Sequence, residues 1–231
     1  MPIFQSVVIA FLGGSIPAFF WLWFWLREDR KHPEPRHLLV ACFFLGMAGV
    51  VVAIPLEKAA ELISTAPLFI FIVWALIEES LKYGAAYIGG MHTQAEDEPI
   101  DAMVYLLTAA LGFAAAENML FLLNPLIEGD AFVGILTGNI RFIGTSLLHV
   151  VASCVIGGMV ALSFYKKKKI RHEYFLAGLI GAVALHTAFN YFIVQGGAGG
   201  LFYVFAMLWI LVIGLMLLFE DVKRVHPQGV V

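Results

Sequence analysis

The stretch Ile77–Glu78–Glu79–Ser80–Leu81–Lys82 lies in the middle of an apolar run that extends from 67 to 91. Three other apolar runs also carry ionisable or amide side chains, within 113–118, 141–149 and 186–190. Charge inside a bilayer is costly, so it survives where it is paired or functional. The pattern predicts a polar site buried among helices that cross a membrane.

The composition is that of an integral membrane protein. Of 231 residues, 61% are hydrophobic and 13% are charged, and the mean hydropathy is +0.89. Soluble domains are about half apolar and about a quarter charged. This composition predicts a lipid bilayer as the surroundings; the net charge of −3 says little about partners, and the lack of a long basic run predicts no nucleic-acid partner. Two cysteines are too few for a disulfide framework.

The apolar runs are continuous rather than alternating, which indicates helices, because only helices and closed barrels satisfy the backbone in lipid. We therefore predict an all-α, multi-pass transmembrane helix bundle of about seven spans (six to eight), forming a single domain over 1–231. The predicted spans are about 4–26, 37–56, 67–91, 101–123, 131–165, 174–195 and 201–219. The third is the weakest because its centre is charged. The fifth is too long for one crossing, so it begins outside the membrane or breaks near Gly134–Gly138.

Lysine and arginine predict the orientation. Eleven of the fourteen lie in the loop after span one, the loop after span five and the C-terminal tail, which seven spans place on one side. The positive-inside rule then predicts that the N-terminus lies outside and the C-terminus in the cytoplasm. Measured from the outer helix ends, Glu78 is predicted to lie about 16 Å deep, Glu117 about 9 Å and His186 about 14 Å.

The two adjacent glutamates cannot both face one target, because neighbours on a helix point about 100° apart. Lys82 follows Glu78 by four residues and Glu79 by three, so it can pair with either. One interpretation is an ion pair that neutralises a buried acid. The other divides the roles: Lys82 holds one glutamate, and the second is free to act as a base or a ligand.

The fourth and fifth spans also allow two interpretations. Glu117 and Asn118 form either an interhelical hydrogen bond or part of the site. Arg141 either extends to the outer interface or steadies Glu117 or a substrate carbonyl. Arg141, Thr145 and His149 share one helix face by their spacing.

His186 and Asn190 are neighbours on the sixth span. An imidazole can move a proton, and an amide can donate to a developing oxyanion. A purely structural pair is the alternative.

Together these motifs resemble the PrsW family of membrane proteases, which is related to the CAAX prenyl endopeptidases and the bacterial Abi proteins. The matching patterns are Glu-Glu-x-x-Lys at 78–82, Phe-x-x-x-Glu at 113–117 and His-x-x-x-Asn at 186–190, with His149 between them. The chain departs from the CAAX-type pattern at Lys82, in place of an arginine one position later, and at Glu117, in place of a histidine. These departures favour the PrsW branch over prenyl-protein processing.

The resemblance implies a multi-pass protease of the bacterial inner membrane. Its partner would be a single-span, membrane-anchored anti-sigma factor, cut at the extracytoplasmic side. The polar active site is predicted to lie among helices three to six, which carry these motifs. The implied catalytic residues are Glu78, Glu79, Glu117, His149, His186 and Asn190. From their positions on the spans, Lys82, Asn118 and Arg141 are predicted to support them.

Two mechanisms remain open at this stage. Without a metal, Glu78 or Glu79 takes a proton from water with help from His149, and His186 and Asn190 stabilise the oxyanion. With a divalent metal such as zinc, His149, His186 and one of the glutamates 78, 79 and 117 hold the ion and leave a position for water. A proton-coupled transporter and a non-catalytic scaffold for membrane helices are the alternative functions.

Overall fold

A computed structural model describes residues 2–30, 32–130, 132–134, 136, 141–195 and 197–227. The helices are α1 (Ile3–Trp25), α2 (Arg36–Ile63), α3 (Pro67–Ala86), α4 (Asp101–Glu128), α5 (Ser146–Leu162), α6 (Lys168–Gln195) and α7 (Gly197–Val222). Short π-helical segments, Tyr87–Met91 and Arg141–Thr145, follow α3 and precede α5. The described ranges contain no strand, which confirms the predicted all-α bundle.

Six of these helices are long and apolar enough to cross a membrane, so the chain is a multi-pass membrane protein. Of the described helices, α3 does not meet this criterion, because Glu78, Glu79 and Lys82 occupy its middle. All three side chains are buried inside the bundle, against neighbouring helices. Their burial explains how a helix with a charged centre fits among apolar ones.

Contacts between helix termini define the two ends of the bundle. At one end, Lys223 Nζ lies 2.7 Å from Glu28 Oε2, and Tyr105 donates a hydrogen bond to Glu34. We call this the basic end, because it also carries the cationic segments after α1, α5 and α7. At the opposite end, Ser6 Oγ donates to the carbonyl oxygen of Leu126 at 3.2 Å. Consecutive helices therefore run antiparallel.

α4 forms the centre of the bundle, and its residues 101–115 are all buried. It packs directly against the backbone of α2. A Cβ atom at Gly46 would clash with the carbonyl oxygen of Ala109, and one at Gly112 would clash with that of Phe43. Small residues of this kind let two membrane helices approach closely. The close crossing fixes α4, which carries Glu117, relative to α2.

Several predicted helix ends are wrong. α4 continues to Glu128 instead of 123 and ends at Gly129, whose φ of +86° is the left-handed conformation that suits a helix C-cap. Glu117 therefore lies about 16 Å from the end of its helix rather than about 9 Å. α2 runs through Pro55 to Ile63 instead of ending at 56.

The predicted fifth span, 131–165, contains a shorter crossing helix, as its excess length suggests. The apolar segment long enough to cross covers Ile143–Leu162, and Arg141–Thr145 is π-helical. Of the predicted break at Gly134–Gly138, positions 135, 137 and 138 lie outside the described residues. Within the described residues, the long run therefore contains a crossing helix that is shorter than 131–165.

Candidate active site

Glu79 is the anchored member of the glutamate pair on α3. Its side chain is fully buried, and its Oε1 lies 2.5 Å from Lys82 Nζ and 2.8 Å from His186 Nδ1. Its Oε2 accepts a hydrogen bond of 2.8 Å from Ser153 Oγ on α5. The carboxylate thus connects three helices, and each of its oxygens already has a partner.

Glu78 faces a different direction and has no comparable set of bonds. Its Oε2 lies 3.8 Å from each of Lys82 Nζ, His149 Nδ1 and His186 Nε2. This oxygen is buried and makes no hydrogen bond to any part of the chain that the structure describes. Leaving a buried acceptor unpaired costs about 1–3 kcal/mol, so its position requires a separate explanation.

His149 on α5 is held between two charged groups. Its Nε2 lies 2.8 Å from Glu117 Oε2, and its Nδ1 lies 2.9 Å from Lys82 Nζ. The His149 and His186 rings meet edge to face, with centroids 5.3 Å apart. The two imidazoles are therefore neighbours, and each has one nitrogen on a glutamate and the other directed towards Glu78.

Arg141 folds inward instead of extending to the membrane interface. Its NH2 lies 3.1 Å from Glu117 Oε2, and its Nε donates to Asn118 Oδ1 at 2.6 Å. Asn118 in turn donates to Ser146 Oγ at 3.0 Å. The interpretation of Arg141 as an interfacial anchor is wrong, because it binds the partly buried Glu117 and the buried Asn118 inside the bundle.

Some of these groups line a cavity of about 380 Å³, whereas Glu79, Lys82 and Asn118 lie outside its wall. Its wall includes Glu78, Glu117, His149, His186 and Asn190. The lining residues come from α2, α3, α4, α6 and the segment from 141 to 149, and they extend towards the end of the bundle opposite the basic end. Two acids, two imidazoles and an amide that are far apart in sequence thus line one cavity, which has room for a peptide segment.

The cavity also contains a set of groups that fits a divalent cation. One ligand atom from each of Glu78, His149 and His186 lies within 4.8 Å of the other two. Two imidazoles and one carboxylate are a common donor set of catalytic zinc, which leaves a fourth position open. The unpaired oxygen of Glu78 is one of the three donors.

The surroundings of this set also suit a metal. Imidazole ligands usually have their second nitrogen on a carboxylate, which fixes the ring orientation. Here Glu117 holds His149 and Glu79 holds His186 in that manner. One contact competes with metal binding. Lys82 Nζ lies 2.9 Å from His149 Nδ1, so a metal ion bound to that nitrogen would displace this hydrogen bond.

Comparison with known proteins identifies the family. A family model described as PrsW family intramembrane metalloprotease matches residues 34–216, which include every residue of this site. The chain belongs to the PrsW family. As a member of that family it is an intramembrane protease, and the transporter and scaffold alternatives are set aside.

Three bacterial relatives, each named Protease PrsW, support this assignment. The protein of Bacillus subtilis (strain 168) is 26% identical over 182 residues, covering 78% of this chain and 80% of its own length. Those of Geobacillus kaustophilus (strain HTA426) and Clostridioides difficile (strain 630) are also 26% identical, covering 85% and 78% of this chain, and 86% and 77% of their own length. No solved structure gives a significant match.

Sequence reasoning missed three members of this PrsW-family site. Ser153 follows His149 by four residues, a spacing that could have placed it on the same helix face. Glu57 and Trp74 also line the cavity. The sequence did not indicate Glu57 as a site residue, because the second span was predicted to end at 56, one residue before it.

Proposed function

We propose that this protease hydrolyses a peptide bond of a single-span, membrane-anchored protein, with Glu78, His149 and His186 as its reactive centre. The observation that carries the proposal is the convergence of these three donors beside the buried, unpaired oxygen of Glu78. The cavity around them has room for an extended segment of a substrate.

In this proposal, Glu78, His149 and His186 hold a divalent cation such as zinc. Such an ion lowers the pKa of a bound water and polarises a carbonyl group. Glu79 and Glu117 keep the two imidazoles oriented through bonds of 2.8 Å. Each carboxylate is in turn held by a cation, Lys82 for Glu79 and Arg141 for Glu117.

Hydrogen bonding to the developing oxyanion is assigned to the Asn190 amide. Its side chain lines the same cavity, one helical turn from His186 and nearer the end opposite the basic end. Loss of one donor to a developing oxyanion typically lowers the rate about 10²–10³-fold. The metal-free alternative keeps Asn190 in this role and changes that of Glu78 from ligand to proton acceptor.

The substrate and topology follow from the family resemblance and from the charges. We assign the basic end to the cytoplasm, the N-terminus to the outside and the protein to a bacterial inner membrane. Glu78, Glu117, His149 and His186 then lie about 12–16 Å below the outer helix ends. That depth suits a first cut of an anti-sigma factor at its extracytoplasmic side.

The test is cleavage of a single-span substrate co-reconstituted with the purified protease in liposomes. Glu78→Gln and His186→Ala are expected to abolish cleavage. Glu61→Gln, an exposed carboxylate on α2 outside the cavity, serves as the matched control and is expected to retain it. Full cleavage by either site variant would refute the proposed centre.

A further inference from the structure

The catalytic cavity contains a carboxylate that the proposed chemistry does not use. Glu57 lies on α2 and lines the same cavity as Glu78 and Asn190. Its side chain is half-buried, and the part of the chain that the structure describes gives it neither a side-chain hydrogen bond nor an ion pair within 4.0 Å. It is therefore a candidate for contact with something that enters the cavity.

The nearby cations have other partners. Arg141 lies on Glu117 and Asn118, and Lys82 lies on Glu79 and His149. A half-buried carboxylate without a cation is unfavourable, because it has lost part of its hydration. A positively charged group of the substrate would offset this cost at the moment of binding.

The backbone at Glu57 is fixed in place. Trp74 Nε1 on α3 donates a hydrogen bond of 3.3 Å to the carbonyl oxygen of Glu57. The Trp74 side chain also lines the cavity. This bond ties the last turns of α2 to α3 and fixes the backbone position from which the Glu57 side chain extends.

Helix geometry gives that distance along the bundle. α2 ends at Ile63 and α3 begins at Pro67, so the connection is short and the two helix ends are level. Glu57 lies about 9 Å from this end and Glu78 about 16 Å. The difference of about 7 Å corresponds to about two residues of extended peptide.

We propose that Glu57 determines specificity by binding a lysine or arginine side chain of the substrate about two residues from the cleaved bond. This inference rests on the proposed function, because it takes Glu78 as the place of cleavage. The recognised chemistry is a cationic side chain that follows an extended backbone into the cavity.

The test measures kcat/KM for a panel of single-span substrates. Lysine, glutamine or glutamate is placed at each of the four positions on either side of the cleaved bond. The wild type is expected to prefer lysine over glutamate by about tenfold or more near the second position on one side. Glu57→Gln is expected to remove this preference, Glu57→Lys to reverse it, and Glu61→Gln to leave it unchanged.

Two results would overturn the inference. One is a wild type with no lysine preference at any of these positions, a result that needs no variant to fold. The other is a Glu57→Gln variant that keeps the preference or slows all substrates equally. If Glu78→Gln is inactive while the wild type shows the same kcat/KM for all substrates of the panel, this inference alone fails. If Glu78→Gln cleaves normally, the proposed function itself fails.

Discussion

Replacing Glu79 with glutamine removes the charge that holds Lys82 inside the bundle. Both side chains are fully buried, and Lys82 Nζ lies 2.5 Å from Glu79 Oε1. Loss of one partner of a buried ion pair costs about 3–5 kcal/mol, because the other charge is left uncompensated. Glu78 Oε2, at 3.8 Å from the same Nζ, compensates in part, so we expect a loss near 3 kcal/mol in the free energy of unfolding.

Glu78→Gln, at the adjacent residue, is the matched control for Glu79→Gln. Its Oε2 makes no hydrogen bond to any described residue, so no bonded partner is lost. We expect a change below about 1 kcal/mol in the free energy of unfolding. Thermal unfolding of the detergent-solubilised protein, followed by tryptophan fluorescence in the presence of a chelator, measures both variants without a contribution from bound metal.

For a chain of this length, 1 kcal/mol corresponds to about 2–4 °C in Tm. Glu79→Gln should therefore lower Tm by about 6–12 °C, and Glu78→Gln by less than about 4 °C. Equal losses, or a larger loss for Glu78→Gln, would refute the division of roles between the two glutamates.

Three further predictions concern packing, rate and pH. Gly112→Ala should lower Tm strongly because its Cβ would meet the backbone of α2, whereas Gly214→Ala, with open space around it, should raise or preserve Tm. Asn190→Ala should lower kcat about 10²–10³-fold in the liposome assay with little change in Tm. Burial raises the pKa of Asp29 to about 7 and that of Glu34 to about 8, from 3.8 and 4.5. Their contribution to stability is complete below about pH 4 and is gone above about pH 8, so Tm should fall progressively between these two pH values, and less in Glu34→Gln.

Much of the site follows from spacing within single helices. His186 and Asn190 share a face, and both line the cavity as their separation of four residues predicts. The angle between Glu78 and Glu79 predicts that they point in different directions. Which of them faces the cavity depends on the rotation of α3, and that rotation is set by packing between helices, above all against α2 and α6.

Contacts between helices could not be predicted from spacing. The inward position of Arg141 depends on the end of α4, for which Gly129 is the one signal in the sequence, and on the π-helical segment before α5, which has no clear signal. The exposure of Glu57 to the cavity depends on the length of α2 beyond Pro55. The catalytic roles of all these residues remain predictions.

The most direct test of the central claim is the metal content of the protease, purified without a histidine tag and measured by mass spectrometry. If Glu78, His149 and His186 form one cation-binding centre, the wild type should carry about one divalent ion per chain and a folded His186→Ala variant far less. An active wild type without bound metal, or equal content in both proteins, would contradict it.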